Sequence, residues 1–249
     1  MNESQKYNDR NLFFPTESIH KVASWKGTIN YKRTLSDNLD VKYRLYPSHY
    51  NIESTSLNDS SINIVEAIQQ VDFKYKASDK IVLTGGLKSQ VNTNFNNFLL
   101  PFASISYLIN DKWSASIIGD INERNPTMND LYFTFYGNIN LRPETNYQIR
   151  NNWKFANSNT IDKIRFNIEL YYIKSIDKIN YVPDSGFRVF NIDEARSFGF
   201  NSNFEWVRKI NRNNSLRTIW SLNYIDTKDK NDKALAYVPN LKSILGLNW

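Results

Sequence analysis

Apolar and polar residues alternate one by one along most of this chain. The clearest runs are Trp113, Ala115, Ile117, Gly119 and Ile121, then Ile164, Phe166, Ile168, Leu170 and Tyr172. Later runs are Phe198, Phe200, Phe204 and Trp206, then Leu216, Thr218, Trp220, Leu222 and Tyr224. Between them stand Ser114, Ser116 and Asp120, or Arg165, Asn167 and Glu169, or Arg217, Ser221 and Asn223. A period of two is that of a β-strand with one apolar face and one wet face. Weaker alternation recurs at Ile29 and Tyr31, at Val71, Phe73 and Tyr75, at Ile81, Leu83 and Leu87, at Ile105, Tyr107 and Ile109, and at Leu245, Leu247 and Trp249. No long helical stripe competes. The pattern predicts about eleven strands, over 26–35, 38–47, 64–77, 79–90, 100–110, 112–123, 143–156, 160–174, 195–209, 213–226 and 237–249.

A soluble β-sandwich alternates in the same way, so connection lengths have to separate the two. Short turns are expected at Ser36-Asp37-Asn38, Ala77-Ser78-Asp79, Asn110-Asp111, Asn157-Ser158-Asn159 and Asn211-Arg212-Asn213. Long connections are expected at about 47–63, 90–100, 124–143, 174–195 and 226–237. Short and long alternate, as tight periplasmic turns and long extracellular loops do in outer-membrane barrels. The expected strands also exceed the 5–6 residues usual in sandwiches and meet the roughly 9–11 that a tilted membrane strand needs. Tyr43, Tyr46, Tyr75, Tyr107, Trp113, Tyr172, Trp206, Trp220 and Tyr224 fall near expected strand ends, where interfacial rings concentrate. The expected fold is therefore all-β, an antiparallel transmembrane β-barrel segment.

Composition changes this picture little. The net charge is +6, but Lys and Arg are scattered without a dense basic run, so nucleic acid is not the expected partner. With no Cys, a disulfide framework and a Cys-based metal site are excluded, and His20 and His49 each stand alone, so no metal is expected. No apolar run reaches the length of a membrane helix. The mean hydropathy of −0.56 is what alternating barrel strands give on averaging. The start MNESQKYNDRN lacks the apolar core of a secretory signal.

One segment carries more than pattern. Arg124-Asn125-Pro126-Thr127-Met128-Asn129-Asp130-Leu131-Tyr132 is followed by Gly137-Asn138 and then by Leu141-Arg142-Pro143-Glu144. With a strand feeding in from Trp113 and another leaving from Tyr147, it resembles a strand–loop–strand segment of the barrel of TonB-dependent outer-membrane receptors. The residues carrying the likeness are Arg124, Pro126, Thr127, Leu131, Tyr132, Leu141, Pro143 and Glu144. Phe190-Asn191-Ile192-Asp193-Glu194-Ala195 with Phe198-Gly199-Phe200 is similar to the family's approach to a later strand, although Phe200 and Asn201 stand where an acid is usual. Tyr237-Val238-Pro239-Asn240 resembles another Pro-marked strand start. The likeness covers residues 100–249 by motif and the first hundred by pattern.

The resemblance implies a gated pore importing iron–siderophore complexes, cobalamin or other scarce nutrients, located in the outer membrane. It implies no cofactor. Residues 1–249 are expected to be a partial receptor barrel, about eleven of twenty-two strands, namely strands 8 to 18. The plug domain, through which the TonB complex would act, the energy-coupling box and the last strands are expected to be missing. The ending Leu245-Gly246-Leu247-Asn248-Trp249 leaves a true C-terminus open as the alternative. A passive porin-like channel and a soluble β-rich adhesin or carbohydrate-binding protein are the competing functions.

Catalytic chemistry is thin. The acid pairs Asp226/Asp232 and Asp193/Glu194 fall in expected loops, and the Asp/Asn clusters at Asn129-Asp130, Asp177 and Asp184 lack the spacing of a calcium loop. Gly85-Gly86 lies within a strand, so phosphate cradling is not indicated, and no enzyme is expected. Candidate ligand contacts are two aromatic groups on long loops: Tyr132, Phe133, Phe135 and Tyr136, and across the next hairpin Tyr181, Phe187, Arg188 and Phe190. Aromatic faces and a guanidinium suit planar or anionic iron chelates. Loop-to-loop packing is the alternative reading of both groups.

Overall fold

The computed structural model describes residues 2–9, 16–55, 61–95, 97–132, 137–182, 188–211, 214–235 and 240–249, with side chains from residue 21 onward. It holds one antiparallel sheet of thirteen strands in sequence order and one short helix. The strands are β1 (Asn2–Asp9), β2 (Thr16–Lys26), β3 (Ile29–Ser36), β4 (Leu39–Ser54), β5 (Ser61–Lys76), β6 (Ile81–Asn92) and β7 (Phe98–Leu108). They continue as β8 (Trp113–Arg124), β9 (Glu144–Ser158), β10 (Asp162–Val182), β11 (Arg188–Lys209), β12 (Ser215–Asp229) and β13 (Leu241–Asn248). Helix α1 (Met128–Tyr132) lies between β8 and β9. The sheet is open, with β1 and β13 at its two ends.

All eleven expected strands are present, and β1 and β2 are additions. β2 and β3 lie end to end along one edge of β4, pairing Lys26 with Ser48 and Ile29 with Leu45. The break has a chemical cause. Gly27 N–H donates to Pro47 O at 2.9 Å, and Pro47 has no N–H to return the bond.

Three of the five long connections are shorter than expected, because their flanking strands run on past the predicted ends, and the one after β12 is shifted to 230–240. β10 reaches Val182 and β11 starts at Arg188, so most of the expected 174–195 loop is a hairpin, Lys174 pairing with Arg196 and Tyr181 with Val189. Pairing with the next strand satisfies the backbone there, which polar side chains alone do not announce. The 125–143 connection is the longest of the five. It lies at the same end as the β10–β11 tip, since Asn138 Nδ2 donates to Val189 O at 3.1 Å.

At the opposite end the tight turns share one device. The Asn110 side chain accepts from the N–H groups of Lys112 and Trp113 at 2.9 and 3.0 Å. Asn159 does the same for Ile161 and Asp162, Ser78 for Lys80 and Ile81, and Asn211 for Asn214. Each side chain mimics a backbone acceptor and closes the turn locally.

Cross-strand register sorts the residues onto two faces. Trp113, Phe155, Phe166, Phe204 and Trp220 stand in one row across five strands, all on the convex face. A second row, Ile149, Tyr172 and Phe198, lies six residues further along β10, roughly 20 Å away at the usual strand rise. Between the rows lie Ile168, Leu170, Trp153 and Phe200. Exposed large apolar side chains, among them Ile105, Ile117, Ile149, Leu170 and Phe198, far outnumber the buried ones. A water-facing sheet reverses this order. The convex face is built for lipid, and among the described residues no second sheet covers it.

On the concave face two glycines receive aromatic rings. A Cβ on Gly199 would sit 2.3 Å from Tyr224 O and 2.5 Å from the Tyr171 hydroxyl. Gly86 is crowded in the same way by Val71 O and the Phe102 ring. Backbone cannot yield as a side-chain tip can, so Gly199→Val should cost ~1–3 kcal/mol through overpacking. Gly85→Val, whose nearest atom is 3.6 Å away, should cost less. Denaturant titration of both variants checks this, and equal losses would refute it.

Candidate functional site: a clasp across the concave rim

Arg124 ends β8, and the chain turns through buried Pro126 into α1. Thr127 caps that helix: its hydroxyl accepts from Asp130 N at 3.2 Å, and Asp130 Oδ2 accepts from Thr127 N at 2.9 Å. This is a reciprocal capping box with Asp in the position more often held by Glu. A five-residue helix cannot stand by itself, so packing has to hold it. Leu131 and Leu141 are buried with Ile179 of β10 and Val189 of β11, and Met128 and Tyr132 pack against this cluster. The same Met128 and Tyr132 also touch Ile62 and Ile64 on β5. β5 is five strands from β10 in the sheet order, so α1 bridges the concave face at its rim.

Polar groups lock the bridge. Asp130 is 1% exposed; Tyr181 Oη donates to its Oδ1, and Arg124 Nη2 stands 3.4 Å from its Oδ2. Arg124 Nη1 is also 3.6 Å from Oε2 of buried Glu144, which accepts from Ile179 N at 3.1 Å and lies 3.5 Å from Lys178 Nζ. Arg124 therefore sits between two buried carboxylates. Further out, Asn191 and Arg142 exchange side-chain-to-backbone bonds, both at 2.9 Å, and Asn191 Nδ2 also donates to Asp177 O at 2.6 Å. Arg142 Nη2 pairs with Asp177 Oδ1 at 2.5 Å, and Asp177 holds φ at 52°, a left-handed conformation Asp tolerates better than most residues.

The motif residues thus have a visible local role: they fasten a loop over the concave face. Leu131, Leu141 and Pro126 are buried, Glu144 takes three donors or cations, and Thr127 caps. Of the aromatic candidates, half-buried Tyr132 packs in the bridge and Tyr181 is tied to it through Asp130. Arg188 and Phe190 flank Val189 at alternate positions of β11 and are exposed, away from the buried cluster. Phe133, Phe135, Tyr136 and Phe187 lie outside the described residues, as does Asp184. Asp130, Asn138, Asp177, Lys178 and Asn191 were not among the expected contact residues or those carrying the family likeness, although Asp130, Asn138 and Asn191 stand inside the quoted motif stretches.

The acid pairs also change setting. Asp193, Glu194 and Asp226 lie on strands rather than in loops, each beside a cation: Lys230 for Asp193, Lys174 and Arg196 for Glu194, and Lys228 for Asp226. The hydrogen bond and charge of Lys230 hold the Asp193 carboxyl below its ordinary range, with Arg142 adding to the effect.

Below the clasp the concave wall is polar. Arg44 pairs with Asp72, Arg150 with Asp120 at 2.6 Å, and Glu205 with Arg165 and Arg217 at 3.2 and 2.8 Å. A cleft of about 390 Å³ opens there, where the polar side chains Lys154, Arg165, Glu205 and Arg217 stand around a mostly apolar lining that includes Phe166 and Ile219. Such a wall can face water or a polar partner.

A family model described as TonB dependent receptor-like, beta-barrel, matches residues 2–249. Among solved structures, the FrpB iron transporter from Neisseria meningitidis is similar with a TM-score of 0.66 at 12% identity, covering 93% of this chain and 41% of the other. The copper transporter OprC gives 0.69 at 14% identity, covering 94% and 42%. The siderophore receptor PirA from Pseudomonas aeruginosa gives 0.63 at 12%, covering 99% and 54%. At these identities the likeness is one of fold, and the chain spans about two-fifths to a half of each structure. No curated protein matches the sequence itself.

Proposed function

The chain belongs to the TonB-dependent receptor-like β-barrel family, and on that premise we propose that it forms wall and extracellular rim of an outer-membrane receptor taking up a scarce nutrient. The observation that carries this reading is the pairing of two opposed faces with a fastened rim. The convex face is apolar between two aromatic rows, the concave face carries Arg, Asp and Glu pairs, and the motif loop is clasped across the concave mouth. A lipid-inserted wall around a polar lumen needs the first two features. Holding a ligand at the mouth needs the third. An iron chelate of the siderophore type or a corrinoid is the cargo class proposed.

The proposed contacts are Tyr132, Phe133, Phe135 and Tyr136, which follow α1 in the sequence, together with Tyr181. Arg188 and Phe190 at the start of β11, with Phe187 just before them in the sequence, form an outer contact set. Import would draw on the TonB complex through a plug, with this chain supplying wall, loops and lumen lining.

The test is uptake of radiolabelled ferric chelates and cobalamin by iron-starved cells expressing the gene, with and without an intact TonB system. Saturable uptake that disappears without TonB is expected. Uptake that persists without TonB would make the protein a passive channel. A protein that stays monodisperse in water without detergent would be a soluble binder, and either outcome overturns the proposal.

A further inference from the structure

The cleft low on the concave wall carries two features that a water-filled lumen does not require. It lies behind the aromatic row through Phe155, Phe166 and Phe204, and the side chains one residue off in parity build it. Arg165 of β10 is in register with Glu205 of β11, and Lys154 of β9 with Asn167 of β10. The first feature is a surplus of cations. Glu205 accepts from Arg165 Nη1 at 3.2 Å and from Nε and Nη2 of Arg217, both at 2.8 Å. Two guanidinium groups thus share one carboxylate, and Lys154 forms no ion pair among the described residues. Glu169, the next carboxylate up this face of β10, accepts from Asn201 at 3.1 Å. Asp79 borders a second hollow with Lys154, but its charge is matched by Lys76 at 2.8 Å. A net positive charge remains after both are counted.

The second feature is an acceptor without a donor. Asn167 stands between Lys154 and Asn203 in one cross-strand row, and its Oδ1 is buried with no hydrogen-bond partner. A buried amide oxygen costs free energy until a donor reaches it. A hydroxyl on a bound molecule would supply that donor. The guanidinium groups ask for something else. Each carries five N–H donors in a planar fork suited to carboxylates, and Glu205 takes only some of them. Between these polar groups the lining is apolar, with Ala156 and Ile219 among it. The volume of about 390 Å³ falls in the range of small-molecule sites, roughly 300–1,000 Å³. A compact carbon skeleton bearing carboxylates and a hydroxyl meets every one of these demands.

We propose that this cleft binds a hydroxycarboxylate, with Arg165, Arg217 and Lys154 on its carboxylates and Asn167 on its hydroxyl. The proposal rests on the uptake reading, and within it names the cargo as an anionic hydroxycarboxylate chelate rather than a corrinoid. Glu205 sets the strength of the site. Its charge holds the two arginines in place and opposes a second anion between them. A station on a route has to release what it binds, so a built-in competitor keeps the affinity moderate. The clasp meets the cargo at the rim, and the cleft receives the same anion lower on the wall.

The full-length protein, extracted from its own membrane in a neutral detergent, is titrated calorimetrically with citrate, tricarballylate and sulfate. Tricarballylate has the three carboxylates of citrate and no hydroxyl. Heat-modifiable gel mobility checks that each variant has inserted. Citrate should bind saturably, and tricarballylate about fivefold more weakly for want of one hydrogen bond. Asn167→Leu should abolish that difference. Arg165→Gln/Arg217→Gln should lose about tenfold or more in citrate affinity, as charge-assisted bonds do. Glu205→Gln should bind citrate about fivefold more tightly, a gain that misfolding cannot mimic. Lys32→Gln, which removes an exposed cation on β3, should change nothing. An inserted wild type that ignores citrate, equal binding of citrate and tricarballylate, unchanged or weaker binding by Glu205→Gln, or displacement by equimolar sulfate would overturn the site. Each of these leaves TonB-dependent uptake to its own test. Citrate binding by a protein whose uptake persists without TonB would keep the site and bring down the cargo assignment.

Discussion

Replacing Ile168 with Arg should destabilise the membrane-inserted protein by ~2–4 kcal/mol, the cost of a guanidinium on the lipid face near the bilayer midplane. Ile168 suits the test because of its depth. It lies between the row through Phe166 and the row through Tyr172, and its direct neighbours are Trp153 and Ser202 on the same convex face. The control is one residue off in parity. Asn201 is on the concave face and donates to Glu169 at 3.1 Å, so Asn201→Arg puts the same cation beside a carboxylate. That variant should stay within about 1 kcal/mol of the parent, as exposed ion pairs do. Both are measured by denaturant unfolding in lipid vesicles. A one-residue change of position thus separates the two faces, because side chains on a strand alternate without exception. Equal losses for the two variants would mean that the convex face does not meet lipid.

How much of this was legible beforehand varies with the physics of each part. The faces were readable because a barrel strand between lipid and lumen has to alternate, and the Ile164–Tyr172 and Trp113–Ile121 runs do so. The tight turns were readable because Asn110, Asn159 and Asn211 act on their own backbone within three residues. The upper parts of β10 and β11 were not. There neither face is committed to lipid, so Asp177, Lys178, Asp193 and Glu194 interrupt the alternation, and strand pairing alone keeps the backbone extended. β1 has no apolar face at all; the run Asn2–Asp9 is a strand only because β2 offers it an edge. Helix α1 is shorter than any window in which a helical period can be counted. The clasp was hidden for another reason. Asp130 and Glu144 look like solvated loop charges until residues far away in sequence, Tyr181 and Lys178, arrive to bury them.

Those distant partners make Asp130→Ala the second large effect to expect. The substitution deletes the acceptor for Thr127 N, the acceptor for the Tyr181 hydroxyl and one of the two carboxylates facing Arg124. Loss of a helix cap alone costs about 0.5–2 kcal/mol, and breaking a buried pair about 3–5. Arg124 is 45% exposed and can recover water, so the pair costs less than a fully buried one and the total should be ~2–4 kcal/mol. The loss should be local. β8 and β9 remain paired from Trp113 to Glu144 without Asp130, whereas α1 has no support beyond its packing and its cap. Hydrogen exchange should therefore quicken at 127–132, 138 and 141 and stay slow along β8 and β9. Asn138 is included because its N–H donates to Asp130 O at 2.8 Å, a bond that survives only while the loop stays seated. Tyr181→Phe removes one hydrogen bond to the same carboxylate and should shift exchange in the same places by about 1 kcal/mol. Asp130→Asn keeps an oxygen acceptor for only one of Thr127 N and the Tyr181 hydroxyl, its Nδ2 being a donor, and should lie between the two. If Asp130→Ala leaves exchange at 127–132 unchanged, apolar packing by Leu131, Leu141, Ile179 and Val189 holds the bridge unaided, and the buried carboxylate is not what fastens it.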